Sequence, residues 1–288
     1  MRPGLGRPDA PPALSGADER DSTSAVSVIA IAAMCMGLGA SLGFMPGFIA
    51  TSLRDDLGIS RGEVGLLVSV YFGCTGIGSV MGGRMTDRLG ARVVVVIDMA
   101  AVAAAALMTA LVGTYWSLLV AAVIGGAAYA LVNAGTNVAI ARSVPQHRRT
   151  LAMSIKTAGV PLMAAIAAAL GPVSANRWSW EHISAAIAVL AVLGGVGAAL
   201  VLADDRPDRT TAPPSRELPP GFLWFPIGAF LLIAGSQPLY SWVVPYLEQS
   251  LDASPGVAGG ISSAASASGV AVMVLNGVRT DRIGAEHR

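Results

Sequence analysis

Lys156 is the single lysine of the chain, and it stands inside an apolar run. An ammonium group there is costly unless it faces a polar cavity or snorkels to the membrane surface. At about 1.5 Å of rise per residue it lies roughly 10 Å along its helix from Arg149. Asn133 and Asn137, four residues apart and therefore on one helix face, approach a similar depth from the preceding run. An ammonium and two amides suit the carboxylate or other anionic group of a small solute. The plainer account is that Lys156 snorkels while the asparagines brace helix packing. Asp98 is the one carboxylate of its apolar run. Two readings stand for it: a coupling group that carries a proton, or a partner for the Arg88 to Arg92 cluster about nine or ten Å away. Gln237, next to Pro238, and Tyr240 set polar groups beside a helix interruption, a further candidate for solute contact with simple packing as the alternative.

Other chemistry finds no support. Serines and threonines are scattered without a His–carboxylate arrangement, and Gly82 to Gly90 lacks the Gly-Lys-Ser/Thr ending of a phosphate loop, so no enzyme is expected. His147, His182 and His287 are far apart, and Cys35 and Cys74 sit in apolar runs without a Cys-x-x-Cys spacing. Neither a metal, a cofactor nor a disulfide framework is expected. A net charge of +1 carried by short arginine clusters gives no basic face, which argues against nucleic acid.

The elements that must position these residues are membrane helices. Apolar residues make up 53% of the chain and charged ones 13%, about half the charged share of a soluble domain. Eight apolar runs are long enough to span a bilayer: 26–50, 64–83, 93–112, 116–141, 150–172, 182–203, 221–247 and 257–278. They are rich in alanine and glycine, which allow close helix approach. The expected fold is an all-α polytopic membrane protein with the lipid bilayer as its solvent. Residues 1–25 read as a disordered tail, 26–203 as an N-terminal six-helix bundle, 204–220 as an interdomain linker rich in Asp, Arg and Pro, and 221–288 as a partial second bundle.

If the tail is cytoplasmic, fifteen arginines fall on the cytoplasmic side and three, Arg54, Arg61 and Arg177, on the other. That bias predicts a multi-pass protein of the cell membrane with a cytoplasmic N-terminus. Tyr115, Trp116, Trp178 and Trp180 are then expected at the outer interface and Trp224 at the inner one.

Between the second and third runs the chain reads GGRMTDRLGAR, and near its end NGVRTDRIGAEHR. Gly83, Thr86, Asp87, Arg88 and Gly90 match Gly277, Thr280, Asp281, Arg282 and Gly284 at a constant offset of 194 residues, and Leu53, Leu57, Ser60 and Gly65 match Leu247, Leu251, Ser254 and Gly259 at the same offset. This is an internal repeat of two membrane halves. Asp87 in such a loop can accept hydrogen bonds from the first turn of a neighbouring helix, and Arg88 and Arg92 can pair with acidic or carbonyl groups. These contacts would stabilise one state of a two-state equilibrium. The alternative is that the arginines only enforce orientation.

Gly83, Asp87, Arg88, Gly90 and Arg92, with the second copy Gly277, Asp281, Arg282 and Gly284, resemble the loop motif of the major facilitator superfamily of secondary transporters. Ala91 replaces the first of the motif's two final basic residues, and the second copy ends in Ala285 and Glu286. Residues from Asn133 to Pro172 are similar to the fourth and fifth spans of bacterial members. The resemblance implies two six-helix bundles, alternating access, and conformational gating by Gly83, Asp87, Arg88, Gly90, Arg92, Asp281 and Arg282. The expected function is secondary transport of a small polar, perhaps anionic, solute. The alternative is a non-transporting membrane protein or an inactive remnant of such a transporter. Eight spans against twelve give the expectation of a C-terminal truncation, with a partner chain expected only if the end at Arg288 is natural.

Overall fold

Lipid offers no partner for a free backbone N–H or C=O, so long apolar runs close their hydrogen bonds internally as helices. The computed structural model describes residues 16–204, 221–222 and 224–286, with side chains described over 24–171, 179–204, 221–222, 224–236, 239 and 241–283. The elements are α1 (Gly16–Phe48), α2 (Ala50–Leu57), α3 (Arg61–Leu89), α4 (Ala91–Val112), α5 (Tyr115–Ser143), α6 (Arg149–Trp178), α7 (Trp180–Val201), α8 (Trp224–Ser250) and α9 (Pro255–Glu286). A single 3-10 turn, Gln146–Arg148, leads into α6. All but the two-turn α2 are long and apolar enough to cross a membrane, and they correspond one for one to the eight expected spans.

Two segments differ from the sequence expectation or fall outside the described residues. Of the tail read as disordered over 1–25, residues 1–15 lie outside the described residues, and the chain is helical from Gly16. Once an apolar span has nucleated a helix, each further residue such as Ala17 or Glu19 extends it at little cost. Of the linker read over 204–220, residues 205–220 lie outside the described residues.

Local sequence sets the helix ends. Pro46 lacks an N–H; two residues after it α1 stops, Ile49 takes φ −110° and ψ 21°, and α2 begins. Ser60 and Glu63 form a capping box at the start of α3, with the Ser60 hydroxyl accepting from the Glu63 N–H at 3.2 Å. Gly90 separates α3 from α4 at φ 86° and ψ 161°, a conformation that only glycine adopts without strain.

α1 runs through the middle and touches α3, α4, α5, α6, α7 and α8. Cys35 and Leu38 of α1, Met99, Val102, Ala105 and Ala106 of α4, and Ala191 and Ala198 of α7 are almost completely buried in one core. Small residues at these seams let helix backbones approach, and that contact replaces the hydrophobic drive that lipid cannot supply. α8 packs on α1, and α9 lies along α6. The fold is thus an all-α membrane bundle with a partial second bundle attached.

The aromatic belt requires a correction. Trp116 is 71% exposed and Trp224 75%, as interface residues should be, but Trp180 is fully buried. It is the first residue of α7, and its ring turns into the bundle rather than toward the headgroups. Trp178 has a side chain outside the described residues.

Candidate solute site

The site is built where α5 and α6, which touch little along their lengths, are bridged by polar side chains. Lys156 leaves α6 and donates from Nζ to Asn133 Oδ1 at 2.9 Å and to Asn137 Oδ1 at 2.7 Å. The spacing of four puts both amides on one face of α5, so a single ammonium reaches both. Lys156 is 2% exposed, whereas Asn133 and Asn137 are exposed. Its partners are two neutral amides. Among the described residues no carboxylate lies within ion-pair distance, and the positive charge is solvated but not neutralised. An ammonium has three N–H groups, and two are used. Because each Oδ1 is turned to Lys156, each amide nitrogen is left with its donors available. The two exposed asparagines therefore carry free amide N–H donors beside a buried ammonium.

Asp98 lies elsewhere. It is fully buried, and neither carboxylate oxygen has a hydrogen-bond partner among the described residues. The pairing with Arg88 or Arg92 is therefore not formed. Arg92 is six residues earlier on α4, about 240° around the helix axis at roughly 100° per residue, and Arg88 lies beyond the Gly90 turn. Gln237 and Tyr240 lie on α8, with side chains outside the described residues.

At the arginine-rich end the two motif copies differ. Asp281 accepts from the Leu151 N–H at 2.9 Å, in the first turn of α6. The N-cap of that helix, Arg148, supplies no side-chain acceptor, so Asp281 takes the vacant capping role. Gly277 permits the approach: a Cβ there would stand 2.7 Å from Ser154 Oγ and 3.1 Å from Leu151 Cα. Arg282 is exposed. In the first copy Asp87 and Arg88 are exposed, Arg92 is half-buried, and the space beside Gly83 is open; Asp87 has no hydrogen-bond partner among the described residues.

Sequence reasoning missed two features. At the opposite end the Thr51 hydroxyl donates to Glu248 Oε2 at 2.6 Å, joining α2 to α8 across 197 residues. Nothing in either local sequence signals that pair. Tyr129, one turn before Asn133 on α5, comes close to Asp98 beside Gly39, where a Cβ would stand 3.0 Å from Tyr129 Cδ2 and 3.7 Å from Asp98 Oδ2; its spacing of four from Asn133 was the available signal. A cavity of about 240 Å³ among the described residues belongs to neither site. It lies between α1, α6 and α7 and is lined by Met45, Phe48, Met163, Leu170, Ile183 and Leu190. Its wall is otherwise apolar, with Ser41 and His182 as its polar side chains.

The family model described as Major Facilitator Superfamily matches residues 29–288. The multidrug resistance protein MdtL of Klebsiella pneumoniae is 25% identical over 167 residues, which cover 58% of this chain and 42% of that protein, so the chain spans well under half of this relative. The crystal structure of a D-xylose-proton symporter is 15% identical, with a TM-score of 0.64 over 89% of this chain and 69% of the other. A structure of the proton:xylose symporter XylE bound to 6-bromo-6-deoxy-D-glucose, also 15% identical, has a TM-score of 0.54 over 92% of this chain and 56% of that one. At such identity these two likenesses speak for the fold.

Proposed function

The chain belongs to the major facilitator superfamily, and from that premise we propose that it serves secondary transport, by alternating access, of a small solute bearing a carboxylate or similar anionic group. The observation that carries this reading is the buried Lys156, held by Asn133 and Asn137 and lacking a carboxylate counter-ion among the described residues. A buried charge with only neutral partners is stabilised further by an opposite charge, and a bound anion supplies one. Gln237 and Tyr240 of α8 are proposed to contact the solute from the second half.

Residues 26–203 are taken as one half, 221–288 as the start of the other, and 204–220 as their linker. The motif end, and with it the N-terminus, is proposed to face the cytoplasm, a reading the arginine bias supports. Gly83, Asp87, Arg88, Gly90, Arg92, Asp281 and Arg282 are proposed to gate that end. The Asp281 contact with α6 is of the kind that holds it closed, and Asp87, the repeat counterpart of Asp281, is proposed to make the same kind of contact with a second helix start.

The test is uptake of a radiolabelled panel of mono- and dicarboxylates by proteoliposomes bearing the protein, wild type against Lys156→Ala. Losing a hydrogen bond to a charged group costs about 1.5–3 kcal/mol, so uptake of the transported carboxylate should fall about tenfold or more. A variant that takes up every carboxylate as the wild type does would falsify the anion reading.

A further inference from the structure

We propose that the cavity between α1, α6 and α7 holds one acyl chain of a membrane phospholipid, which enters sideways from the bilayer with its headgroup beside His182. The proposal is independent of the anion reading at Lys156.

The cavity is a slot laid along the helices. Its lining runs from Ser41 to Ile49 on α1, from Met163 to Gly171 on α6 and from His182 to Leu190 on α7, about 12 Å of axial rise on each wall. α6 starts at the motif end, where its first turn meets Asp281, and α7 returns toward that end. Gly171 and His182 therefore stand at the mouth of the slot, away from the motif, and Met163 and Leu190 at its floor. Ile49 belongs to the mouth, since a Cβ on Gly171 would stand 3.3 Å from its Cγ2, and Ser41 belongs to the floor. The hydrocarbon of a bilayer is about 30 Å thick, so a slot of this depth fits within one leaflet.

The slot opens to lipid. α6 and α7 touch little along their lengths, and Ile166 and Leu170 on α6 and Leu190 on α7 are exposed along the seam between them. All three lie inside membrane-spanning segments, where the neighbouring solvent is hydrocarbon. α9 leaves the seam uncovered: it meets α6 at Ala168 and Ser154, opposite Gly259 and Gly277, and no described residue of α9 lines the slot.

Nothing inside calls for water. The Ser41 hydroxyl donates to Leu38 O at 2.6 Å within its own helix, and the rest of the wall below the mouth is apolar. A void lined in this way stays dry and forfeits dispersion contacts, which a hydrocarbon chain restores. Polarity is confined to the mouth. His182 is exposed, its Nδ1 lies 3.1 Å from Ser179 Oγ, and its Nε2 has no partner among the described residues. An apolar shaft under a polar rim fits an amphiphile whose phosphate or ester oxygens stay at the surface.

The test is photolabelling of the protein in liposomes of phosphatidylethanolamine and phosphatidylglycerol, with a trace of phosphatidylglycerol whose acyl chain ends in a diazirine. Labelled residues are read by mass spectrometry. In the wild type Met163, half-buried at the floor, should be labelled severalfold more than Leu107, an exposed side chain at similar depth on α4. Labelling of Met163 no higher than that of Leu107 overturns the proposal, and this comparison needs no variant to fold. Ala186→Trp fills the slot from an exposed lining position and should bring Met163 down to the level of Leu107; undiminished labelling also overturns it. A parallel arm replaces the phospholipid by a free fatty acid carrying the same diazirine. Floor labelling by the fatty acid alone overturns the assignment to phospholipid.

Discussion

Lys156 and its two asparagines illustrate how much one polar residue costs inside a membrane bundle. Asn133 and Asn137 replace part of the ammonium's water shell at 2.9 and 2.7 Å. Removing one of them by Asn137→Ala should destabilise the purified protein by about 1.5–3 kcal/mol, the cost of a hydrogen bond to a charged group, and lower its melting temperature in detergent. An unchanged midpoint would mean that Lys156 is solvated some other way. These three residues were legible in the sequence, because a lone lysine and two amides at a spacing of four stand out against alanine and leucine. Asp98 was visible as a residue but not in its surroundings. Its distance along α4 from Arg92 suggested an ion pair, and only its azimuth on that helix excludes one.

Helices meet through their ends as well as their faces. α6 starts without a capping side chain at Arg148, and its Leu151 N–H is satisfied by Asp281 from α9. A carboxylate on a helix N-terminus is favoured both by the hydrogen bond and by the helix dipole. Asp281→Asn keeps the shape and loses the charge, which should weaken this contact by about 1 kcal/mol and shift the equilibrium roughly fivefold toward opening at the arginine-rich end. Labelling of a cysteine placed at the start of α6 would report that shift; labelling equal to the parent protein would remove Asp281 from the gate. The repeat at an offset of 194 made the motif readable in the sequence, and it equated Asp87 with Asp281. It did not say which copy would hold a helix start in this arrangement, since Leu151 and Asp281 are 130 residues apart.

Across the whole molecule, contacts tie elements of the two halves at both ends of the bundle. Asp281 ties α9 to α6 at one end, and Thr51 ties α2 to Glu248 of α8 at the other. Both are formed together here; under the proposed alternating access each would break in a different state, so weakening them should move the population in opposite directions. Thr51→Val removes the 2.6 Å bond and, with a discount for partial exposure, should favour opening at the Glu248 end by roughly 1 kcal/mol. Accessibility measured at both ends of Thr51→Val and Asp281→Asn tests this, and shifts of the same sign in both variants would sink the opposition. What the sequence determined by itself was the membrane class, the eight spans and the repeated motif, because a bilayer forces every long apolar run to be a helix of nearly fixed length. What the tertiary structure decided was which faces meet: the burial of Trp180, the isolation of Asp98 from any hydrogen-bond partner among the described residues, and the pairing of Thr51 with Glu248. Those depend on the rotation of each helix about its axis and on its choice of neighbours, which near-uniform runs of alanine, glycine and valine leave open.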